Sequence, residues 1–262
     1  MERIPRIVFQ TWKSRHEMPG LYRAWRQTII DQNPTYRHII WDDEDNRRFI
    51  HSYHPWFLKT YDAYEANIMR ADAVRYFFLY TFGGIYIDLD TECLRPLDQH
   101  LNEADVILGR MGVDPHFSHS MPNAILMSAP RQEFWLFVIQ VLLDRAPQLT
   151  RPEIKTGPEI IKRAFDIYTD PDLNAECRAR MAHVFLSMKV DPAALRQTDI
   201  MVAHPRLFYP VDWTDPIHQH YIRRRIVRDG RGFSEEEKQT LFPGASLVTY
   251  WTHSWEAEQW DD

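Results

Sequence analysis

The sequence predicts an α/β protein with a Rossmann-like central sheet flanked by helices. The chain opens as strand, helix, strand, the signature of a sheet covered by helices. A long apolar helix candidate, Asn67–Thr81, passes through Gly83-Gly84 into a buried strand candidate, Ile85–Leu89. The 262 residues are 44% apolar and 13% aromatic, enough to fill a sizeable core. That length suits one large domain or two small ones, and with no internal repeat or low-complexity linker a single domain over 1–262 is expected.

Each element has its local reason. Ile4–Phe9 is a short β-prone run, with Gln10-Thr11-Trp12 at its C-terminal end. Leu21–Gln32 reads as a helix that stops before Asn33-Pro34, because proline disfavours helical geometry in the residue before it. His38–Trp41 is a second strand, closed by Asp42-Asp43, and two helices are expected over Asp43–Ser52 and Pro55–Ala63. Asn67–Thr81 begins at a residue suited to capping and ends at glycines that close helices in left-handed geometry. Later strands are expected at Asp105–Leu108, Ala124–Met127, Val184–Leu186 and Leu247–Trp251, with helices at Glu133–Leu143 and after Gly157-Pro158. From His218 to Lys238 the chain is polar, with Arg223-Arg224-Arg225 near Glu235-Glu236-Glu237, and reads as a surface excursion holding a helix or two.

Composition excludes several classes. Thirty-one basic against 37 acidic residues give a net charge of −6, which argues against nucleic acid as partner. The longest apolar stretch, Tyr76–Ile87, is broken by Thr81 and two glycines, well short of the about 20 residues a spanning helix needs. Two cysteines, Cys93 and Cys177, are too few for a disulfide framework. The opening Met1-Glu2-Arg3-Ile4-Pro5 shows no secretory signal, so a cytoplasmic protein is expected.

The chemistry is concentrated in Arg70-Ala71-Asp72-Ala73-Val74-Arg75-Tyr76 and in Gly84-Ile85-Tyr86-Ile87-Asp88-Leu89-Asp90. Asp72 and Arg75 are three apart on a helix and share a face. Asp88 and Asp90 are two apart on the expected strand, so their carboxylates point the same way. Two like charges resist sharing a low-dielectric site, and a divalent cation removes that cost. Oxygen-only ligands suit Mg²⁺ or Mn²⁺, which bind together with diphosphate oxygens. A lone Asp-x-Asp is a weak signal. This one follows a buried strand, at the end where open α/β sheets bind ligands.

Three stretches, IPRIVFQTW, NPTYRHIIWDD and RADAVRYFFLYTFGGIYIDLDTECLRPL, resemble the sugar-binding region of the family 32 glycosyltransferases. That group includes fungal α-1,6-mannosyltransferases, sphingolipid mannosyltransferases and bacterial capsule or lipopolysaccharide glycosyltransferases. The match covers residues 4–98, which makes 1–98 the nucleotide-sugar and metal core and 99–262 the acceptor-side half. Weaker echoes follow in Asn123-Ala124-Ile125, Thr156-Gly157-Pro158 and Ser254-Trp255. The resemblance implies a GT-A fold, a UDP- or GDP-hexose donor, Mn²⁺ or Mg²⁺, retention of anomeric configuration and a glycan or lipid-linked acceptor. It also implies at most peripheral membrane contact, at the cytosolic face. By the same resemblance Asp90 binds the metal, and Asp88 touches the donor ribose and the metal shell. Asp72 and Arg75 hold the sugar hydroxyls, with Asn123 nearby, and Tyr86 approaches the nucleotide or its phosphates. Gln10, Thr11 and Trp12 line the nucleotide pocket, and Ser254 and Trp255 the diphosphate side. Many members carry a histidine where this chain has Thr249, and His253 is the candidate replacement ligand.

Competing readings have their own residues. Ile85–Thr91 mimics the haloacid-dehalogenase phosphatase motif, with Asp88 as nucleophile and Asp90 as acid/base, but that fold carries its motif on the first strand and here two strands precede it. A non-catalytic nucleotide-sugar-binding module is the other alternative, and it has no need of a metal-stabilised leaving group. Trp12 divides evenly between stacking on a base and filling the core. A purely structural Asp72–Arg75 ion pair is the bland alternative for that pair. His116, His119 and His204 read as structural or exposed, His218 and His220 show no ligand pattern, and Arg223–Arg225 reads as a solvated face.

Overall fold

The structure, a computed structural model, describes residues 2–14 and 17–252. In chain order the first half runs β1 (Ile7–Thr11), α1 (Gly20–Gln32), β2 (Arg37–Trp41), α2 (Asp43–Tyr53), a 3₁₀ turn at Pro55–Phe57, α3 (Leu58–Asp62), α4 (Asn67–Phe82), β3 (Gly84–Ile87) and β4 (Thr91–Cys93). There follow β5 (Val106–Gly109), β6 (Ile125–Ser128), α5 (Phe134–Arg145), β7 (Ile200–Ala203) and β8 (Leu247–Thr249), with further helices between α5 and β7 and again between β7 and β8. The expected α/β class is observed. A six-stranded sheet in the order β2-β1-β3-β6-β5-β7 is joined by a two-stranded sheet of β4 and β8. β1 pairs in parallel with β2 and β3, and β5 with β7, while β6 runs antiparallel between β3 and β5.

Burial explains these elements. Every residue of β3, β5 and β6 is buried, as expected of strands covered on both faces. α4 is apolar nearly all round and packs on α2 and α5. Phe78 on α4 stacks on Phe9 of β1 at 5.3 Å and meets Trp41 of β2 edge-on at 4.4 Å, which fixes the helix over the sheet. The turn from α4 into β3 needs its glycines. Gly83 and Gly84 have φ of 65° and 98°, and a Cβ would lie 2.7 Å from Pro130 N at the first and 2.6 Å from Ile7 O at the second.

Several expectations are corrected. Val184–Leu186 lies in a helix, Ala182–Met188, whose Val184, Phe185 and Met188 are buried at helical spacing. A run that short cannot distinguish strand from helix by periodicity. Asn67 is the first helical residue rather than the cap, and its Oδ1 accepts from Arg70 Nη2 at 2.6 Å. β3 ends at Ile87, so Asp88 and Asp90 lie in the connection to β4 and not on the strand. β4 and β7 were not anticipated. The polar excursion does hold two helices, Gln219–Arg228 of π type and Glu235–Leu241, linked by Arg225 to Glu237 at 2.6 Å. Cys93 and Cys177 are buried and free. No helix among the described residues is long and apolar enough to cross a membrane.

Candidate active site

Because β1 and β3 are parallel, Thr11 and Asp88 emerge at the same sheet edge, the carboxyl edge where such sheets gather ligands. A cleft of about 1010 Å³ opens there. Its lining brings together Thr11, Trp12, Asp72, Arg75, Tyr86, Asp88, Asp90 and Asn123, which arise from four separate stretches of chain.

Arg75 is the hub. Its Nη2 lies 3.0 Å from Asp72 Oδ1 and its Nη1 3.2 Å from Asp88 Oδ1. Nη1 also donates to the Asn123 carbonyl at 2.8 Å, and the guanidinium sits 4.2 Å from the Tyr86 ring centroid. A buried cation is tolerable only with such partners. Burial favours its neutral form, but Asp88, Tyr86 and Asp72 outweigh that and hold the pKa above its ordinary value. The partners are fixed in turn. Asp72 Oδ1 accepts from Asn123 Nδ2 at 2.9 Å and Oδ2 from Thr156 Oγ1 at 3.2 Å. The Tyr86 hydroxyl donates to Asp88 Oδ1 at 2.8 Å and lies 3.2 Å from Thr11 Oγ1.

Asp90 is held from the far end of the chain. Its Oδ2 accepts from the Thr252 backbone N at 2.9 Å and from Thr252 Oγ1 at 3.0 Å. Burial, reinforced by the charge of Asp88, pushes the Asp90 carboxyl up to about 6. Burial raises Asp88 as well, against the pull of Arg75. It also lifts Asp72 to about 6, with Arg75 opposing and Asp88 adding to the rise.

This donor set fits a hard divalent cation. Among the described residues, the side-chain contacts seen at Asp88 fall on Oδ1 and those with Thr252 at Asp90 on Oδ2. Burial raises both carboxyls and the charge of Asp88 raises Asp90 further, and such a pair binds a proton or a metal ion more readily than it bears two bare charges. No group of three or more His, Cys, Asp or Glu assembles among the described residues, and Mg²⁺ and Mn²⁺ commonly complete a short protein donor set with phosphate oxygens and water.

The other expected residues divide. Trp12 is both wall and packing: it lines the cleft, meets Tyr22 edge-on at 5.0 Å and donates Nε1 to the Glu17 carbonyl at 3.3 Å. Gln10 is buried and does not line the cleft, and its Nε2 lacks a hydrogen-bond partner. Thr249 is buried on β8, 3.0 Å from Thr91 Oγ1, and also stays out of the cleft. His253, Ser254 and Trp255 lie outside the described residues. His119 lines the cleft, whereas His204 Nδ1 caps the short helix Pro205–Phe208 and His218 Nδ1 accepts from Asp212 N at 3.0 Å. Sequence reasoning missed Thr252, Trp251 and the Thr156 hydroxyl. The nearest signal was the echo at Thr156-Gly157-Pro158, since a threonine that clamps an acid 162 positions away has no local signature.

Residues 21–107 match the family described as a glycosyltransferase sugar-binding region containing a DXD motif. Asp88-Leu89-Asp90 lies inside that span and is such a motif. That span of the chain is similar to the sugar-binding region of such glycosyltransferases. Over 156 residues, 55% of this chain, it is 36% identical to inositol phosphoceramide mannosyltransferase 2 of Schizosaccharomyces pombe, covering 44% of that protein. It is 42% identical over 139 residues to the mannosyl phosphorylinositol ceramide synthase CSH1 of Saccharomyces cerevisiae, covering 53% of this chain and 35% of that protein. The chain thus spans less than half the length of either curated relative. Among solved structures the PaToxG glycosyltransferase matches with a TM-score of 0.50 over 73% of this chain and 80% of that one, at 15% identity. That likeness concerns the fold alone, and it agrees with the expected GT-A fold.

Proposed function

We propose that the chain is a retaining, metal-dependent glycosyltransferase that moves a hexose from a UDP- or GDP-sugar to a hydroxyl of a glycan or lipid-linked acceptor. The observation that carries this reading is one cleft in which Arg75 bridges Asp72 to Asp88 and Asp90 lines the same wall. The activities for which the fungal relatives are named support mannose as the hexose and an inositol phosphoceramide as one acceptor.

In the reaction the bond from the anomeric carbon to the diphosphate oxygen breaks. The acceptor oxygen bonds to that carbon on the same face, and its proton passes to the departing diphosphate. When bound at Asp88 and Asp90, Mn²⁺ or Mg²⁺ supplies Lewis-acid stabilisation of the charge that develops on the leaving group. Asp72, Arg75 and Asn123 hold the sugar hydroxyls and supply orientation. Thr11 and Trp12 line the nucleotide side, and Tyr86 fixes Asp88. Ser254 and Trp255 belong to the diphosphate side in this reading, with His253 as a third ligand. Asp72 already accepts from Arg75, Asn123 and Thr156, which supports front-face displacement over a covalent intermediate on that carboxylate.

The test is a thermal-shift and donor-hydrolysis screen of UDP-, GDP- and dTDP-sugars with and without Mn²⁺. One nucleotide-sugar class should raise the melting temperature and release free sugar only when metal is present. Binding without any turnover, with or without acceptor, would favour a pure binding module. Full activity in excess chelator would overturn the metal role.

A further inference from the structure

The cleft has a second wall that the donor residues leave unused. Phe117 and His119, on the connection between β5 and β6, meet Trp213 from well beyond β7. Ring centroids lie 5.4 Å apart for Phe117–His119, 6.2 Å for Phe117–Trp213 and 6.0 Å for His119–Trp213. All three rings line the cleft. So do Glu153 and Glu159, which flank Thr156. Burial holds the His119 imidazole below its ordinary pKa, and the charges of Glu159 and Glu153 are near enough to pull against it, so aromatic and acidic groups share one region. Glu153 Oε2 is buried and has no hydrogen-bond partner.

Carboxylates beside aromatic rings in a cleft call for a ligand that offers hydrogen-bond donors. An acyl chain or another apolar group has none to offer. A six-membered polyol ring offers both halves of the match: hydroxyls that donate, and a C–H face that packs on aromatic rings. Thr156 joins this wall to the donor side, because its hydroxyl donates to Asp72.

We propose that Phe117, His119, Trp213 and Glu153 form the acceptor subsite for a polyhydroxylated six-membered ring, a pyranose or an inositol. The ring packs its C–H face on Trp213 and Phe117 while one of its hydroxyls donates to the Glu153 carboxylate. The assignment rests on the transferase reading above, since the acceptor is by definition the ring that receives the sugar.

The experiment is saturation-transfer NMR on the full chain with methyl α-D-mannopyranoside and, separately, myo-inositol, each repeated with Mn²⁺ and UDP or GDP filling the donor corner. At least one probe should receive saturation at its ring C–H protons, undiminished by the nucleotide. Affinity for that probe should fall about tenfold in Trp213→Ala and in Glu153→Ala. Phe117→Ala serves if the tryptophan variant loses its cooperative melting transition. A response to the mannoside alone assigns a pyranose, and to inositol alone an inositol ring. Equal responses in folded variants, displacement of the probe by the nucleotide, or silence from both probes in a chain that turns over donor would overturn the subsite. Ring binding without any donor binding or turnover would instead strike the transferase reading and leave a carbohydrate-binding wall.

Discussion

Arg75 sits among more negative charge than it can neutralise. Asp72 and Asp88 both contact it, and Asp90 adds a third carboxylate nearby that it does not reach. Removing it should therefore be costly twice over: Arg75→Met leaves buried acids unpaired and should lower unfolding stability by about 3 kcal/mol, read by urea denaturation, as well as abolishing transfer. Asp90→Asn should act in the opposite sense on stability. The folded-state pKa of Asp90, about 6, lies above that of an unfolded aspartate, so the contribution of the protonated form is present at low pH and lost as pH rises through 6. At pH 7.5 without metal the asparagine variant should be more stable than the parent by roughly 1–3 kcal/mol, and it should lose metal-dependent donor binding. An asparagine variant that still binds and transfers normally would remove Asp90 from the site. The same titration predicts that the melting shift produced by donor and Mn²⁺ shrinks as pH falls from 7.5 to 5, because protons then compete for the carboxylates.

At the scale of elements, α4, its two glycines and β3 form one device that carries Asp72 and Arg75 at one end and delivers Asp88 at the other. Gly84→Ala places a methyl group 2.6 Å from the Ile7 carbonyl at a φ of 98°. It should destabilise the fold by about 2 kcal/mol or more and weaken donor binding together with β1–β3 pairing, as seen by denaturation and hydrogen exchange. This device was legible in the sequence because it is long, apolar and punctuated by glycine. The parts that were not legible are short or distant. Val184–Leu186 offers three apolar residues that fit a strand or a helix equally, and burial against α5 decides for the helix. The alternation argument placed the two acids on a strand that in fact ends at Ile87, before either of them. Gln10 was grouped with Thr11 and Trp12 by adjacency, whereas strand alternation sends it inward, away from the cleft. No local pattern links Asp90 to Thr252.

Taken whole, the molecule closes on itself through β4 and β8. Thr91–Cys93 follows the acid pair directly and pairs antiparallel with Leu247–Thr249. Tyr250 then donates to Glu92 Oε2 at 2.6 Å, and Lys238 reaches Glu92 Oε1 at 2.5 Å from the polar excursion. A chain cut after Ala245 loses the strand, the tyrosine and the Thr252 clamp together, and leaves Glu92 with fewer partners. Its melting temperature should fall by several degrees and its metal-dependent donor shift should disappear, whereas an unchanged shift would show that Asp90 is positioned without the distal segment. The distal clamp also sets an order of events during synthesis. Asp88 finds Arg75 and Tyr86 among residues translated just before it, but Asp90 waits for a threonine added 162 steps later. A half-made polypeptide emerging from the ribosome therefore presents its acid pair unfinished, and competence arrives only when the last strand is threaded home.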